Sequence, residues 1–304
     1  MLKRILTMNK DLLFSKIKES AALTDEYLSS IIDTSDPDTE SVAQSMRYSL
    51  FAGGKRIRAF LVLEFCRLLG GKTEAALPFA AAIEMMHTFS LIHDDLPCMD
   101  DDDLRRGKPT NHKVYGEATA LLAGDALAIK LFGTAASNPY VTAENALAAV
   151  KILSDASAEV GMVGGQIMDM YAEEHKITLE TLKKLYGKKT GCLIRAAALL
   201  GCLAAGKSQE SPEGKAATKY AEGIGLAFQI RDDVLDSIGD VTKLGKTIGS
   251  DAANNKTTFL TFMTVQEAMK EAQKATESAK NAVSSFEGHE ILCELADYLL
   301  ERES

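Results

Sequence analysis

The chain has 304 residues, 46% of them hydrophobic and 25% charged, with 6 prolines and no tryptophan. That balance excludes disordered, collagen-like and low-complexity classes, and a chain of this length buries about three quarters of its unfolded surface without needing a disulfide or structural metal. The 34 lysines and arginines against 43 aspartates and glutamates leave a net charge of −9, which argues against a broad nucleic-acid surface and obliges any anionic substrate to find a local basic patch.

Lys3 and Arg4 open the chain, but the apolar run behind them stops at Thr7, too short for a signal-peptide core. The longest apolar stretch, Ala196 to Gly206, falls short of the ~20 residues that a membrane helix needs. The five cysteines (Cys66, Cys98, Cys192, Cys202, Cys293) include no C-x-x-C pair and read as small buried hydrophobes of a reducing compartment. A soluble, cytoplasmic chain with no membrane span is expected.

Alternating strand patterns are nearly absent, whereas apolar residues recur at three- and four-residue spacing almost throughout. Ile57, Phe60, Leu61, Phe65 and Leu68 keep that rhythm until Gly70-Gly71 stops it. Further helical segments run from Ala75 to Leu91, Asn145 to Met170, Leu179 to Cys202 and Ala216 to Asp236. The prolines (Pro37, Pro78, Pro97, Pro109, Pro139, Pro212) read as seams between helices. No polar linker divides the chain, so residues 1–304 are expected to form one all-α domain, a bundle of about ten or more helices.

Two acidic clusters stand out. The first, His93-Asp94-Asp95-Leu96-Pro97-Cys98-Met99-Asp100-Asp101-Asp102-Asp103, directly follows an apolar helix. Aspartates at a helix C-terminus add to the negative end of its dipole, so a cation is needed to offset them. Asp94 and Asp100 do not align on an ideal helix, but Pro97 between them breaks the backbone and allows a turn to join them. The second cluster, Gln229-Ile230-Arg231-Asp232-Asp233-Val234-Leu235-Asp236, sets Asp232 and Asp236 one turn apart on one face. Mg²⁺ suits such sparse carboxylates, because it takes hard oxygen ligands and bridges them to phosphate oxygens. An EF-hand spacing is missing, which argues against a Ca²⁺ buffer.

Basic residues answer both clusters. Gly53-Gly54-Lys55-Arg56-Ile57-Arg58 leads flexible glycines into a cationic helix start, a natural anion site, although the P-loop spacing is absent. Arg105-Arg106 follow the first cluster, and Lys246 and Lys256 follow the second.

The segments GGKRIR, SLIHDDLPCMDDDDLRRGKPTNH, GQIMD, KKTG, FQIRDDVLD and LGKTIGSD resemble, in order, the motifs of the trans-isoprenyl diphosphate synthases. The resemblance spans residues 53 to 258 and implies a helical bundle around a deep central cavity, usually as a homodimer. It implies head-to-tail joining of isopentenyl diphosphate to an allylic partner, dimethylallyl or geranyl diphosphate, with a cluster of three Mg²⁺ ions. By motif position Asp94, Asp95 and Asp100 resemble the first metal motif, and Asp232, Asp233 and Asp236 the second, with Asp233 the one of the six not counted as a metal ligand. Gly54, Lys55, Arg58, His87 and Arg106 resemble the isopentenyl diphosphate site. Arg105, Lys189, Lys246 and Lys256 resemble the groups that hold the allylic diphosphate, and Gln166, Asp169, Thr190 and Gln229 the polar lining beside the metals. Two positions depart from the family pattern: Ala59, and Phe259-Leu260, stand where a proline is common.

Within that resemblance, Ser90 lies one turn back from Asp94 and Phe89 five residues back, ~7.5 Å along the helix axis, on the path of the growing hydrocarbon chain. An aromatic there resembles the short-chain bacterial enzymes that stop at fifteen carbons, so farnesyl diphosphate is the expected product, with geranylgeranyl diphosphate as the alternative. A terpene cyclase fits less well, because its second metal site mixes Asn, Ser or Thr with Glu, whereas this chain has DDVLD.

Overall fold

The computed structural model describes residues 2–33, 35–242 and 257–302, with backbone alone for 2–9 and 238–242. In chain order its helices are α1 (Leu2–Ile31), α2 (Glu40–Leu50), α3 (Ile57–Leu68), α4 (Thr73–Asp94), α5 (Asn111–Tyr115), α6 (Glu117–Ala136), α7 (Ala143–Ser157), α8 (Met162–Glu174), α9 (Leu179–Tyr186), α10 (Cys192–Ala204), α11 (Pro212–Thr242), α12 (Val265–Val283) and α13 (Glu290–Glu301). A π-helical turn, Gly187–Gly191, joins α9 to α10, and a 3₁₀ turn, Phe259–Thr261, precedes α12. The protein is all-α. Among the described residues the one sheet is a hairpin of two-residue strands, β1 (Leu104–Arg105) and β2 (Lys108–Pro109), pairing Leu104 with Pro109.

Local chemistry explains the helix limits. Gly70 takes φ +76° just past α3, the left-handed stop that glycine supplies without a Cβ clash. Pro212 occupies the first position of α11, where its missing N–H costs nothing. Thr264 and Glu267 form a reciprocal capping box at the start of α12. Pro78 departs from the expected seam: it lies inside α4, one turn past the helix start. The segment expected to run unbroken from Asn145 to Met170 divides between α7 and α8. The chain turns at Gly161, where a Cβ would meet the Ala156 carbonyl.

Contacts sort the chain into two compact units. One comprises Phe14–Leu153 and Leu199–Ser208. Its core centres on α4, whose Phe79, Ile83, Met85 and Met86 are fully buried and pack with α3 and α6. Each such side chain contributes roughly 1.5–3 kcal/mol by leaving water. Gly201 of α10 sits against the Val62 carbonyl and Phe65, closer than any side chain would permit.

The other unit comprises Met1–Leu13, Ser154–Ala198 and Gln209–Ser304. Here α11 packs on α12 and α13. Leu182, Leu185, Tyr186, Ile230, Val234 and Phe259 share one buried cluster, and the Tyr220 hydroxyl donates to the Leu292 carbonyl at 2.7 Å. Gly223 lets α11 approach the Ala275 carbonyl and Ala279 of α12.

Two sequence expectations are adjusted by this fold. Cys66, Cys192 and Cys202 are buried free thiols as expected, but Cys98 is exposed and Cys293 half-buried. Two helices, α4 and α6, are long and apolar enough to cross a membrane by length and composition, although α4 spends most of that surface inside its unit.

Candidate active site

The first acidic motif and the GGKRIR segment lie in the same unit. The chain leaves α4 at Asp94 and closes a turn in which the Asp100 N–H donates to the Asp94 carbonyl at 2.9 Å. The break at Pro97 thus brings the backbones of Asp94 and Asp100 together, as their spacing required. Asp95 has a different role. Its buried carboxylate is held by Arg105 Nε at 2.7 Å and Nη2 at 2.5 Å. Burial raises its pKa, and the Arg105 charge opposes the rise.

The hairpin turns on Arg106 and Gly107, which both have positive φ (55° and 75°), the requirement of a type I′ turn. Arg106 therefore accepts a backbone conformation that glycine would take more cheaply, and the turn delivers its guanidinium to the Gly53 carbonyl. Gly54 makes that approach possible, because a Cβ there would lie 2.6 Å from Arg106 Nη1.

The GGKRIR segment divides its cations between two tasks. Arg56 turns inward: its Nε donates to Asp25 at 3.0 Å, its Nη1 to buried Glu84 at 3.0 Å, and its Nη2 to the Leu50 carbonyl. The second Glu84 oxygen accepts the Ala59 N–H at 3.0 Å. A proline at 59 could not make that bond, so the departure at Ala59 has a use here. Lys55 is exposed at the turn. Arg58 has a buried Nε with no hydrogen-bond partner, and burial lowers its pKa.

His87 sits one α4 turn from Glu84. Burial first, then the charges of Arg58, Arg106, Arg56 and Arg105, push its pKa well below the usual histidine value, so the imidazole is neutral at pH 7. The Ser90 hydroxyl donates to the His87 carbonyl at 2.9 Å. The Phe89 ring packs edge-on against His93, with centroids 5.8 Å apart. His93 in turn reaches the Leu121 carbonyl across Gly124, where any Cβ would strike its ring.

The other unit brings together the GQIMD, KKTG and FQIRDDVLD segments. Gly165 lies where a Cβ would meet the Lys189 backbone, so α8 closes on the π turn and Lys189 Nζ donates to Asp169 at 2.5 Å. The Thr190 hydroxyl donates to Gln229 Oε1 at 2.8 Å, and Gln229 Nε2 reaches Asp232 at 3.5 Å. Gln166 is half-buried on α8, one turn before Asp169.

Asp232 and Asp236 follow one another by one turn on α11, as the spacing required. Asp232 is ion-paired to Arg302. Its pKa is raised by burial, against the lowering effects of Arg302 and Gln229. Asp233 points elsewhere: both of its oxygens accept from the Tyr186 hydroxyl, and one also takes the Phe259 N–H at 2.8 Å. Lys246 and Lys256 lie outside the described residues.

Sequence reasoning missed Arg302, Tyr186, Asp25 and Glu84. Only Glu84 left a readable signal, as an acid in an apolar helix that demands a buried cation.

An all-α chain with two aspartate-rich motifs, one at the end of α4 and one on α11, each beside its own basic or amide-bearing partners, fits the class of enzymes that handle prenyl diphosphates. Residues 39–293 match the polyprenyl synthetase family, and the chain belongs to it. It is a prenyltransferase of the trans-isoprenyl diphosphate synthase type. It is 44% identical to the geranylgeranyl diphosphate synthase of Cyanophora paradoxa over 295 residues, 95% of this chain and 96% of that one. It is 43% identical to the farnesyl diphosphate synthase of Bacillus subtilis over 267 residues, 87% of this chain and 90% of that one. Among solved structures, an FPP/GFPP synthase from Zymomonas mobilis superposes with a TM-score of 0.85 at 34% identity, covering 95% of this chain and 98% of its own.

Proposed function

We propose that the chain condenses isopentenyl diphosphate with dimethylallyl or geranyl diphosphate to give farnesyl diphosphate, releasing inorganic diphosphate. The observation that carries this reading is the cluster of Arg58, His87 and Arg106. A buried guanidinium N–H without a partner, beside a neutral imidazole and a second arginine, calls for an anionic ligand. Lys55 and the Gly54 turn complete a diphosphate cradle for isopentenyl diphosphate, with charge-assisted contacts from both arginines.

The acids suit a hard divalent ion. Mg²⁺ takes one or two carboxylates and completes its shell with water and phosphate oxygens, which suits the sparse acids of each motif. Asp94 and Asp100 would hold such an ion in one unit and Asp232 and Asp236 in the other, with Asp95 positioning Arg105. When bound, Mg²⁺ neutralises the charge that develops on the allylic diphosphate as its C–O bond opens. Lys189 and Arg105, each in its own unit, supply cationic donors of the kind that stabilise diphosphate oxygens. The Thr190–Gln229 pair supplies dipoles for the allylic cation, and the released diphosphate takes up the final proton.

Product length is the finer part of the reading, since the relatives include both farnesyl and geranylgeranyl diphosphate synthases. Phe89 favours fifteen carbons. Its ring is braced by His93, with Met85 and Met86 fully buried one turn deeper on α4. A homodimer belongs to the same proposal: Leu121, Leu122 and Ile129 form an exposed apolar stripe on α6, with Ile129 74% exposed. Five free thiols fit a reducing cytoplasm.

The test is incubation with isopentenyl and dimethylallyl diphosphates, with and without Mg²⁺, followed by chromatography of the dephosphorylated alcohols. Farnesol as main product, only with metal, is expected. Geranylgeraniol as main product moves the assignment to the twenty-carbon alternative, and turnover in a metal-stripped sample defeats the metal reading.

A further inference from the structure

Neighbouring acids of the second motif are held in opposite ways. Asp233 has both oxygens bonded to neutral donors, the Tyr186 hydroxyl and the Phe259 N–H. Asp232 is instead covered by a cation that follows α13. Arg302 lies one residue past α13 and donates through Nη2 to Asp232 Oδ1. Its guanidinium lies over the Phe228 ring, 4.0 Å from the centroid, and Nη2 also faces the Phe228 carbonyl at 3.5 Å.

The backbone of that residue is gripped as well. Arg231, beside Asp232 on α11, donates to the Arg302 carbonyl through Nε at 2.9 Å and Nη2 at 2.8 Å. Arg302 is 12% exposed, yet its buried Nε finds no partner. The ion pair leaves a donor buried and unpaired at a carboxylate that the proposed function assigns to a metal.

An arginine and a divalent ion compete for Asp232, since their charges repel and the guanidinium lies on one of the two oxygens a metal would use. We propose that Arg302 is a displaceable counter-ion of Asp232: Mg²⁺ arriving with a diphosphate expels it and loosens the segment after α13 from α11. This rests on the proposed role of Asp232. It makes Arg302 a built-in competitor that sets the metal level at which the second motif loads.

Two measurements decide it, both with Mg²⁺ and inorganic diphosphate as probe. In calorimetric titration, R302Q should bind Mg²⁺ in the presence of diphosphate about three- to tenfold more tightly than the native chain, one partly buried ion pair's worth. Arg302→Lys should fall between them. In the native chain, amide hydrogen exchange over Tyr298 to Arg302, read by mass spectrometry, should speed up when Mg²⁺ and diphosphate are added together. Unchanged or weaker Mg²⁺ binding in R302Q overturns the proposal, as does exchange that is unchanged or slowed by the probe. The exchange measurement uses the native chain and decides the matter even if R302Q fails to fold. A chain that shows displacement but makes no prenyl product overturns the proposed reaction alone. One that makes product with exchange indifferent to Mg²⁺ and diphosphate overturns the displacement alone.

Discussion

The Tyr186 hydroxyl lies 2.8 and 2.9 Å from the two carboxylate oxygens of Asp233 and donates to both. Burial, and then the Asp233 charge, raise the tyrosine pKa, so the phenol stays protonated and remains a donor. The middle acid of FQIRDDVLD therefore fastens α11 to α9 and to the 3₁₀ turn at Phe259, whereas Asp232 and Asp236 are the pair proposed to serve a cation.

That division predicts different consequences for adjacent substitutions. Asp233→Asn should lower stability by roughly 1.5–3 kcal/mol, the scale of hydrogen bonds to a charged group. Asp232→Asn should instead cut kcat by about a hundredfold or more, since it removes charge stabilisation from the reacting centre. Urea unfolding and steady-state rates on the two purified variants separate them. Equal losses of stability, or full turnover in Asp232→Asn, would contradict the assignment.

For the isopentenyl diphosphate cradle, Lys55→Ala and Arg106→Ala should each raise KM by about ten- to a hundredfold, one charge-assisted contact of ~1.5–3 kcal/mol. The KM for the allylic partner should change far less. Titration of each substrate against saturating concentrations of the other gives both values, and an unchanged isopentenyl diphosphate KM in both variants removes them from the cradle.

His87 links stability to pH. Its folded pKa is depressed below the ordinary 6.5, so between those two values the unfolded chain binds a proton that the folded chain does not. Stability is therefore full above pH 6.5 and falls as the solution is acidified toward the folded pKa, by up to ~1.4 kcal/mol per pH unit from this residue. Urea midpoints at pH 7.5, 6.5 and 5.5 should follow that slope, and His87→Gln should flatten its share. A His87→Gln profile parallel to the native one would show that the acid sensitivity comes from other groups.

Phe89→Ala should open space beside α4 and move the main product from fifteen carbons to twenty or more, with Mg²⁺ dependence intact. Reversed-phase chromatography of the dephosphorylated alcohols reads the outcome. A folded, active variant that still stops at fifteen carbons places the floor at another side chain.

Much of this was visible in one dimension because the signals were local. The six-residue interval from Asp94 to Asp100 with Pro97 inside it announced a turn, and the four-residue interval from Asp232 to Asp236 announced a shared face. The split between Arg56 and Arg58 was not visible, because it depends on Glu84, 28 residues from Arg56, taking the first and leaving the second. Arg302 and Asp232 are 70 residues apart, and no periodicity records such a pairing. The breaks within the long helical segments were hidden for another reason: Gly161 and the Gly187–Gly191 turn leave the apolar rhythm nearly undisturbed while changing the backbone.

The turn at Gly187–Gly191 makes chain length, and not only residue identity, a determinant of activity. A π turn holds one more residue than the α-helical path it replaces. Deleting one residue from it would restore an ordinary helix from Leu179 to Ala204 with its flanks in nearly their present register, and would change the direction of the residues inside the turn itself. Lys189 and Thr190 could keep their place in the written sequence and still lose Asp169 or Gln229. A chain one residue shorter here would spell the same motif and aim it at nothing.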